Sequence, residues 1–325
     1  MAVRPKVFVT RPLPAPALEL LASRCEVVVH PEDAALAPAE LGERCRDAAG
    51  LLVVGVRVNE EVLSQAPKLR VVANCGVGYD NIDAAACTAR RIVVTNTPGV
   101  LTDTTADLAF ALLMAVARRV AEGDRLVRDG RWQRSEWGML WGADIHHQTL
   151  GLYGFGRIGQ AVAKRGRGFS MRIIYHDALR ASDVIERELA AEYVDRDRLL
   201  READFLSLHV PLTPETHHLI GARELRLMKP TAFLINTARG KVVDEEALVA
   251  ALKSRAIAGA GLDVFEHEPA LHPELVKLDN VVLLPHVGSA TAATRLKMAL
   301  LAAENLLAAL EGRQPPNIVN PEVYV

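Results

Sequence analysis

One ten-residue stretch, Leu150-Gly151-Leu152-Tyr153-Gly154-Phe155-Gly156-Arg157-Ile158-Gly159, constrains what this chain can fold into more than any other. Its short apolar run reads as a buried strand, and residues 160–167, mixing Ala with basic side chains, read as a helix. A strand that breaks through three glycines into a helix suits a dinucleotide: Gly154 permits the tight turn, Gly156 lets the backbone approach a pyrophosphate, and Gly159 lets the helix pack closely. The helix start then offers unpaired N–H groups and the positive end of its dipole to phosphates. Alone, such a pattern is more often merely a turn. Here a second apolar run, residues 171–176, follows and ends in Asp177, 18 positions after Gly159. That is close to the spacing at which a carboxylate accepts from an adenosine ribose.

The rest of the chain repeats the same alternation. Apolar runs at residues 7–10, 27–29, 51–54, 70–73 and 92–95 alternate with helical segments at 17–23, 39–47, 60–65 and 82–89. Further strands are expected at 204–210, 231–236, 258–264 and 281–284, with helices at 244–254 and 291–310. This predicts an α/β fold of two doubly wound, Rossmann-like parallel-sheet domains. A length of 325 residues accommodates two such cores. An Ala- and Leu-rich helix over 102–119 joins them, capped by Thr102 or Asp103. Residues 123–148 then make an excursion without clear period, carrying Trp132, Trp137, Trp141 and the pair His146-His147. Those histidines could ligate a metal, but no carboxylate or cysteine stands at ligand spacing, so they read as solvent-exposed and no metal is expected.

A formal net charge of −2 gives no reason to expect nucleic acid or an anionic membrane as partner. No apolar run approaches a membrane span, and the first residues lead straight into a strand without a signal peptide. Cys25, Cys45, Cys75 and Cys87 show neither metal nor redox spacing, which fits reduced thiols in a cytoplasmic protein.

Ligands of such sheets bind beyond the carboxyl ends of the strands. Those ends carry Asn74-Cys75-Gly76-Val77-Gly78-Tyr79-Asp80, Thr237-Ala238-Arg239-Gly240, Glu266-His267-Glu268-Pro269 and Pro285-His286-Val287-Gly288-Ser289. Singly, Arg239 would be a surface ion-pair partner, Glu268 a solvated loop acid and His286 a structural histidine. Their joint position at strand ends favours a site.

On residues 74–80, 104–113, 150–160, 209–217, 236–244, 261–269 and 285–295 the chain resembles the D-isomer-specific 2-hydroxyacid dehydrogenases over nearly its full length. Residues 7–14 and 286–291 look most like the glyoxylate/hydroxypyruvate reductases of that family. The resemblance implies a split substrate domain, residues 1–100 with 290–325, around an inserted dinucleotide-binding domain, 101–289, with two helices crossing between. It implies reduction of a small 2-oxo acid to the D-2-hydroxy acid, with Arg239, Glu268 and His286 as the catalytic set. Val77 and Gly78 N–H groups would hold the substrate carboxylate, Arg239 would clamp carboxylate and carbonyl, and His286 would donate the proton. Glu268 would orient His286 and favour its imidazolium form. Thr105, Gly154, Gly156, Arg157, Ile158 and Gly159 would meet the cofactor phosphates, Asp177 the ribose, Pro211 and Thr213 the adenine and ribose side, and Ala238, Asp263 and Gly288 the nicotinamide. Asp177 followed by Ala178 favours NADH over NADPH, softened by Arg180. The family also implies a homodimer built on the 102–119 helix and the excursion after it.

Three alternatives are open to test. Formate dehydrogenases resemble this pattern with glutamine where Glu268 stands. A phosphoglycerate dehydrogenase would have to be a short form, because the chain ends at Val325. Corepressors of the same fold act as dinucleotide-sensing scaffolds but carry a disordered tail.

Overall fold

The computed structural model describes residues 4–324. The chain divides into two compact units, Met1–Leu101 with Ser289–Val325, and Thr102–Gly288.

In the first unit five parallel strands run in the order β2-β1-β3-β4-β5, from β1 (Lys6–Val9), β2 (Glu26–Val29), β3 (Gly50–Val53), β4 (Val71–Asn74) and β5 (Val93–Thr95). β3, β4 and β5 are buried along their whole length, as expected of strands covered on both faces. The helices are α1 (Ala15–Ala22), α2 (Pro38–Arg44), α3 (Glu60–Gln65), α4 (Ala84–Ala89) and the C-terminal α12 (Ala292–Leu310). Phe8, Leu41, Leu51, Val53, Val62 and Val72 pack one core cluster. Thr291 caps α12 by accepting from Thr294 N. Beyond α12, the chain is pinned to β5: Asn320 accepts from Val94 N at 2.7 Å and donates to Ile92 O at 2.9 Å.

The second unit is a seven-stranded parallel sheet in the order β12-β11-β10-β9-β6-β7-β8. Its strands are β6 (Thr149–Tyr153), β7 (Arg172–His176), β8 (Ala191–Tyr193), β9 (Phe205–Leu208), β10 (Phe233–Asn236), β11 (Gly259–Leu262) and β12 (Val281–Leu283). The chain leaves β6 toward β7 and β8, then returns to β9 on the other side of β6. The order therefore reverses at β6, where a doubly wound sheet opens its ligand crevice. The helices are α5 (Thr102–Ala117), α6 (Val120–Arg128), α7 (Arg157–Gly168), α8 (Asp183–Leu189), α9 (Arg196–Glu202), α10 (Ala222–Leu227) and α11 (Glu245–Lys253). α5 buries Ala106, Ala109, Phe110, Leu112, Leu113 and Val116 and is tied to α7 by Arg165, which donates to Asp107 at 2.7 Å.

The sequence pattern missed five of these elements, among them the six-residue α10, which buries only Glu224 and Leu225. α6 lies inside the expected excursion, and none of its residues is buried, so it carries no core-facing period. α5 ends at Ala117 rather than 119 because Arg119 turns left-handed at φ 53° and separates it from α6. α8, β8 and α9 fill residues 183–202, where short polar segments with one or two buried side chains leave no apolar run.

Candidate active site

Gly154 leaves β6 at φ +91°, and a Cβ there would lie 2.7 Å from the carbonyl of His209. Only glycine fits both demands. A Cβ on Gly159 would meet Gly154 O at 2.3 Å, so that glycine serves the close approach of α7 to the turn itself. The turn is held from β7: Gly154 N donates to His176 O at 2.9 Å and Phe155 N to Asp177 Oδ2 at 2.6 Å. Phe155 stacks on Tyr175 with ring centroids 3.9 Å apart. Asp177 Oδ1 accepts from Leu179 N at 3.2 Å. The acid expected to meet a ribose thus also clamps the glycine turn, a role the sequence spacing did not reveal. Its remaining lone pairs leave it able to accept further hydrogen bonds.

Beyond β10, Asn236 organises the next loop. Its Oδ1 accepts from Ala238 N at 3.0 Å and its Nδ2 donates to Arg239 O at 3.0 Å. Sequence reasoning treated Asn236 only as a strand end, although a buried amide before a tight loop is a hydrogen-bonding signal. Arg239 is half-buried and donates to Ala238 O at 2.8 Å. Gly240 follows, and a Cβ there would overlap the backbone of Phe265 at 1.9 Å. That contact brings the Arg239 loop against the loop after β11.

In that second loop Glu268 Oε1 accepts from Phe265 N at 3.0 Å, while Oε2 lies 2.7 Å from His286 Nδ1. Burial pushes the Glu268 carboxyl up, but the His286 hydrogen bond and charge, the Phe265 N–H and the Arg239 charge outweigh it and leave it below the usual carboxylate range. His286 adopts φ +54°, in the left-handed region that few non-glycine residues occupy, and its N–H donates to Asp263 O at 2.9 Å. With Nδ1 engaged, Nε2 is the ring nitrogen left to exchange a proton. Arg239, Glu268 and His286 thus belong to one unit, and Glu268 lies within reach of both charges.

Asp263, 1% exposed, ends the same strand. Its Oδ1 accepts from Val287 N at 2.8 Å, while Oδ2 is buried without a hydrogen-bond partner among the described residues. Burial pushes this carboxyl up. A Cβ on Gly288 would stand 3.2 Å from Asp263 Oδ2 and 3.7 Å from Thr105 Oγ1, so Asp263, Gly288 and Thr105 converge. Pro211 and Thr213 sit in a loop closed by Thr216, whose hydroxyl donates to Pro211 O at 2.6 Å and accepts from Thr213 N at 2.8 Å. Arg157 and Ile158 open α7, exposed and half-buried respectively.

These residues fit a dinucleotide. No atom lies within 4 Å of where a Gly156 Cβ would stand, and Gly156 caps α7 without any side-chain hydrogen bond. An unpartnered buried carboxylate oxygen such as Asp263 Oδ2 calls for a donor such as a carboxamide N–H.

In the other unit, the loop after β4 presents backbone. Asn74 Nδ2 donates to Gly76 O and Gly78 O, Thr97 N donates to Gly76 O, and Asn96 Nδ2 donates to Val77 O. The N–H groups of Val77 and Gly78 make no hydrogen bond among the described residues, which leaves a pair of donors for an anion.

His146 and His147 are exposed, with Asp144 Oδ1 3.8 Å from His146 Nε2, a neighbour the spacing argument overlooked. Among the described residues one trio, His217, His218 and Glu266, has side-chain donor atoms within 4.8 Å of one another. Within it, His218 Nε2 pairs with Glu266 Oε1 at 2.8 Å. The four cysteines are free and buried, and burial pushes Cys45 and Cys75 up to about 11 and Cys87 to about 12. No helix of the described residues is long and apolar enough to cross a membrane.

A sheet that reverses at a glycine turn, with an acid-paired histidine beyond its edge strand β12, fits dinucleotide-dependent redox chemistry. The family model of the D-isomer specific 2-hydroxyacid dehydrogenase NAD binding domain matches residues 110–288. A glyoxylate reductase of Thermococcus litoralis is 53% identical over 99% of this chain and 98% of its own length. A Thermus thermophilus protein of solved structure is similar at a TM-score of 0.89 and 49% identity, covering 97% of this chain and 99% of that one. So is the NADPH-dependent glyoxylate/hydroxypyruvate reductase of Sinorhizobium meliloti, solved with NADP and malonate, at 0.87 and 36%, covering 98% of each chain. The chain belongs to the D-isomer-specific 2-hydroxyacid dehydrogenase family.

Proposed function

We propose that this protein uses NADH to reduce glyoxylate and hydroxypyruvate to the corresponding 2-hydroxy acids, with the D configuration where the product is chiral. The observation that carries the chemistry is the 2.7 Å contact between His286 Nδ1 and Glu268 Oε2. The substrate class is supported by the glyoxylate reductases that share about half of their residues with this chain.

When bound, the reduced nicotinamide supplies a hydride to the substrate carbonyl carbon. The residues of the chain do the rest. Arg239 fixes the carboxylate and polarises the carbonyl oxygen through its planar fork. As negative charge grows on the carbonyl oxygen, His286 Nε2 gives up its proton, completing the hydroxyl. Glu268 fixes the ring orientation and offsets the positive charge of the protonated form. Gly154, Gly156, Gly159, Arg157, Ile158 and Thr105 hold the phosphates, Pro211 and Thr213 line the adenine side, and Ala238, Asp263 and Gly288 hold the carboxamide.

The choice of NADH rests on Asp177. Its carboxylate is fixed at the turn by Phe155 N and Leu179 N, and a 2′-phosphate lying against it would meet like charge. The protein acts in the cytoplasm as a homodimer, an assembly supported by an exposed apolar region around Trp137.

A panel of kcat/KM values for glyoxylate, hydroxypyruvate, pyruvate, 2-ketogluconate and phosphohydroxypyruvate, each with NADH and NADPH, tests the reading. Glyoxylate or hydroxypyruvate with NADH should lead. Preference for phosphohydroxypyruvate would indicate a short phosphoglycerate dehydrogenase, and no turnover of any acid would indicate a dinucleotide sensor.

A further inference from the structure

The loop that follows Asp177 contains a cation that is held in place. Arg180 stands three residues beyond Asp177, a separation of at most roughly 10 Å along the chain, so a freed arginine side chain could reach what Asp177 touches. In this structure it is engaged elsewhere: Arg180 Nε donates to Glu186 Oε1 at 2.9 Å and its terminal nitrogen to Glu186 Oε2 at 2.8 Å. The same carboxylate accepts from the Tyr175 hydroxyl at 2.6 Å, and that hydroxyl accepts from Ala181 N at 2.9 Å. Tyr175 is fully buried and stacked beneath Phe155 of the glycine turn. The Arg180 guanidinium also lies 5.8 Å from the Tyr193 ring centroid. The two partners are unequal: the Arg180 side chain is 60% exposed, whereas Glu186 is 12% exposed. Glu186 is therefore the anchored member and Arg180 the captured one. A two-pronged arginine–carboxylate pair with a third hydrogen bond on the same carboxylate is the geometry that makes an ion pair persist. The Arg180 and Tyr175 hydrogen bonds hold Glu186 down to about 2, so it stays charged throughout the neutral range.

We propose that Glu186 is a positioning residue for cofactor selection: by holding Arg180 it keeps a guanidinium from pairing with a 2′-phosphate beside Asp177. The inference rests on the reading of Asp177 as the ribose acceptor. Two charges then act together against NADPH, the carboxylate of Asp177 by repulsion and Glu186 by withholding the cation that would offset it. Replacing Glu186 with glutamine keeps the shape and a hydrogen bond to Tyr175 but removes the charge that captures Arg180.

Calorimetric titration of the full chain with adenosine 2′,5′-bisphosphate and with 5′-AMP reads the effect directly, beside kcat/KM for NADPH and NADH. In Glu186→Gln, affinity for the bisphosphate relative to AMP should rise about tenfold, the scale of one charge-assisted hydrogen bond. The KM for NADPH should fall with it. Adding Arg180→Gln should abolish that gain, while Arg180→Gln alone should leave the ratio within about twofold of wild type, since the captured arginine contributes nothing to 2′-phosphate binding. An unchanged ratio in Glu186→Gln, a gain that survives in the double variant, or an equal loss in Arg180→Gln alone would each overturn the proposal. Preference of the wild type for NADPH would instead sink the NADH reading, because the variant ratios are taken relative to wild type.

Discussion

At the scale of single residues, the pair of Glu268 and His286 is the point where charge and catalysis meet. For reduction, His286 has to enter protonated, and the Glu268 carboxylate 2.7 Å away offsets the positive charge of the ring. Glu268→Gln removes the charge and keeps the shape, so kcat/KM for reduction should fall. The acid side follows from Glu268 itself. Its carboxyl lies below the usual range in the folded chain, so the charged pair persists as the pH falls through the ordinary carboxylate value and is lost only below it. NADH consumption followed from neutral to acidic pH checks this, and wild-type activity already lost at the ordinary carboxylate value would mean the Glu268 carboxyl is not held down. His286→Ala should remove most activity at every pH, and Arg239→Lys should impair both kcat and KM because a single ammonium cannot reproduce the fork. Arg239, Glu268 and His286 stood out in the sequence because each follows an apolar strand, where a charged side chain is conspicuous. Asn236 and the second duty of Asp177 did not, since a hydrogen bond from a side chain to the backbone of its own loop leaves no pattern in composition or period.

At the scale of elements, short apolar runs disclosed the strands because both faces of each central strand are buried, as in β9, β10 and β11. The same physics hid β8, an edge strand of three residues, and α8 and α9, which bury only Leu189 and the pair Leu199 and Leu200 and are otherwise rich in charged side chains. Arg172, for example, bridges Glu192 and Glu202 at 2.7 Å each. Such elements should be sensitive to acid. Glu186 at α8 and Glu274, which joins Lys253 of α11 to Lys277 at 2.5 Å each, are both held down to about 2 from an ordinary value of 4.5. A depressed carboxyl contributes stability above its unfolded value and loses it as the pH falls from about 4.5 toward 2. Thermal melts across that window should show the melting temperature falling with pH, and less steeply in Glu274→Gln; parallel curves would remove Glu274 from the account. Gly154→Ala should be costly at any pH. It places a Cβ at φ +91° and 2.7 Å from the His209 backbone, a conformational strain of about 1–3 kcal/mol before the clash is counted. A melting temperature within error of wild type would contradict that.

At the scale of the whole molecule, the apolar surface is unevenly distributed. Of the twelve exposed large hydrophobic side chains among the described residues, six (Met114, Val120, Val127, Trp132, Trp137 and Trp141) fall between positions 114 and 141. Scattered exposed side chains need no explanation, but a concentration in under a tenth of the chain marks an interaction surface. α6 strengthens the case. It has nine residues and buries none of them, and a helix that short is marginal in water unless something packs against it. Val120 and Val127, seven residues apart, lie on one face of it. The sequence showed no core-facing period here because the helix contributes no buried residue to the core of its own chain. A second copy related by a two-fold axis would cover the same patch on both partners at once. The protein should therefore scatter light with about twice its chain mass of 35.3 kDa at micromolar concentration. Trp137, 94% exposed, can be changed without disturbing any core of its own chain. Trp137→Glu combined with Val127→Glu should shift the mass toward the monomer while the circular dichroism of the sheets stays unchanged. A wild-type mass equal to a single chain at that concentration would eliminate the dimer.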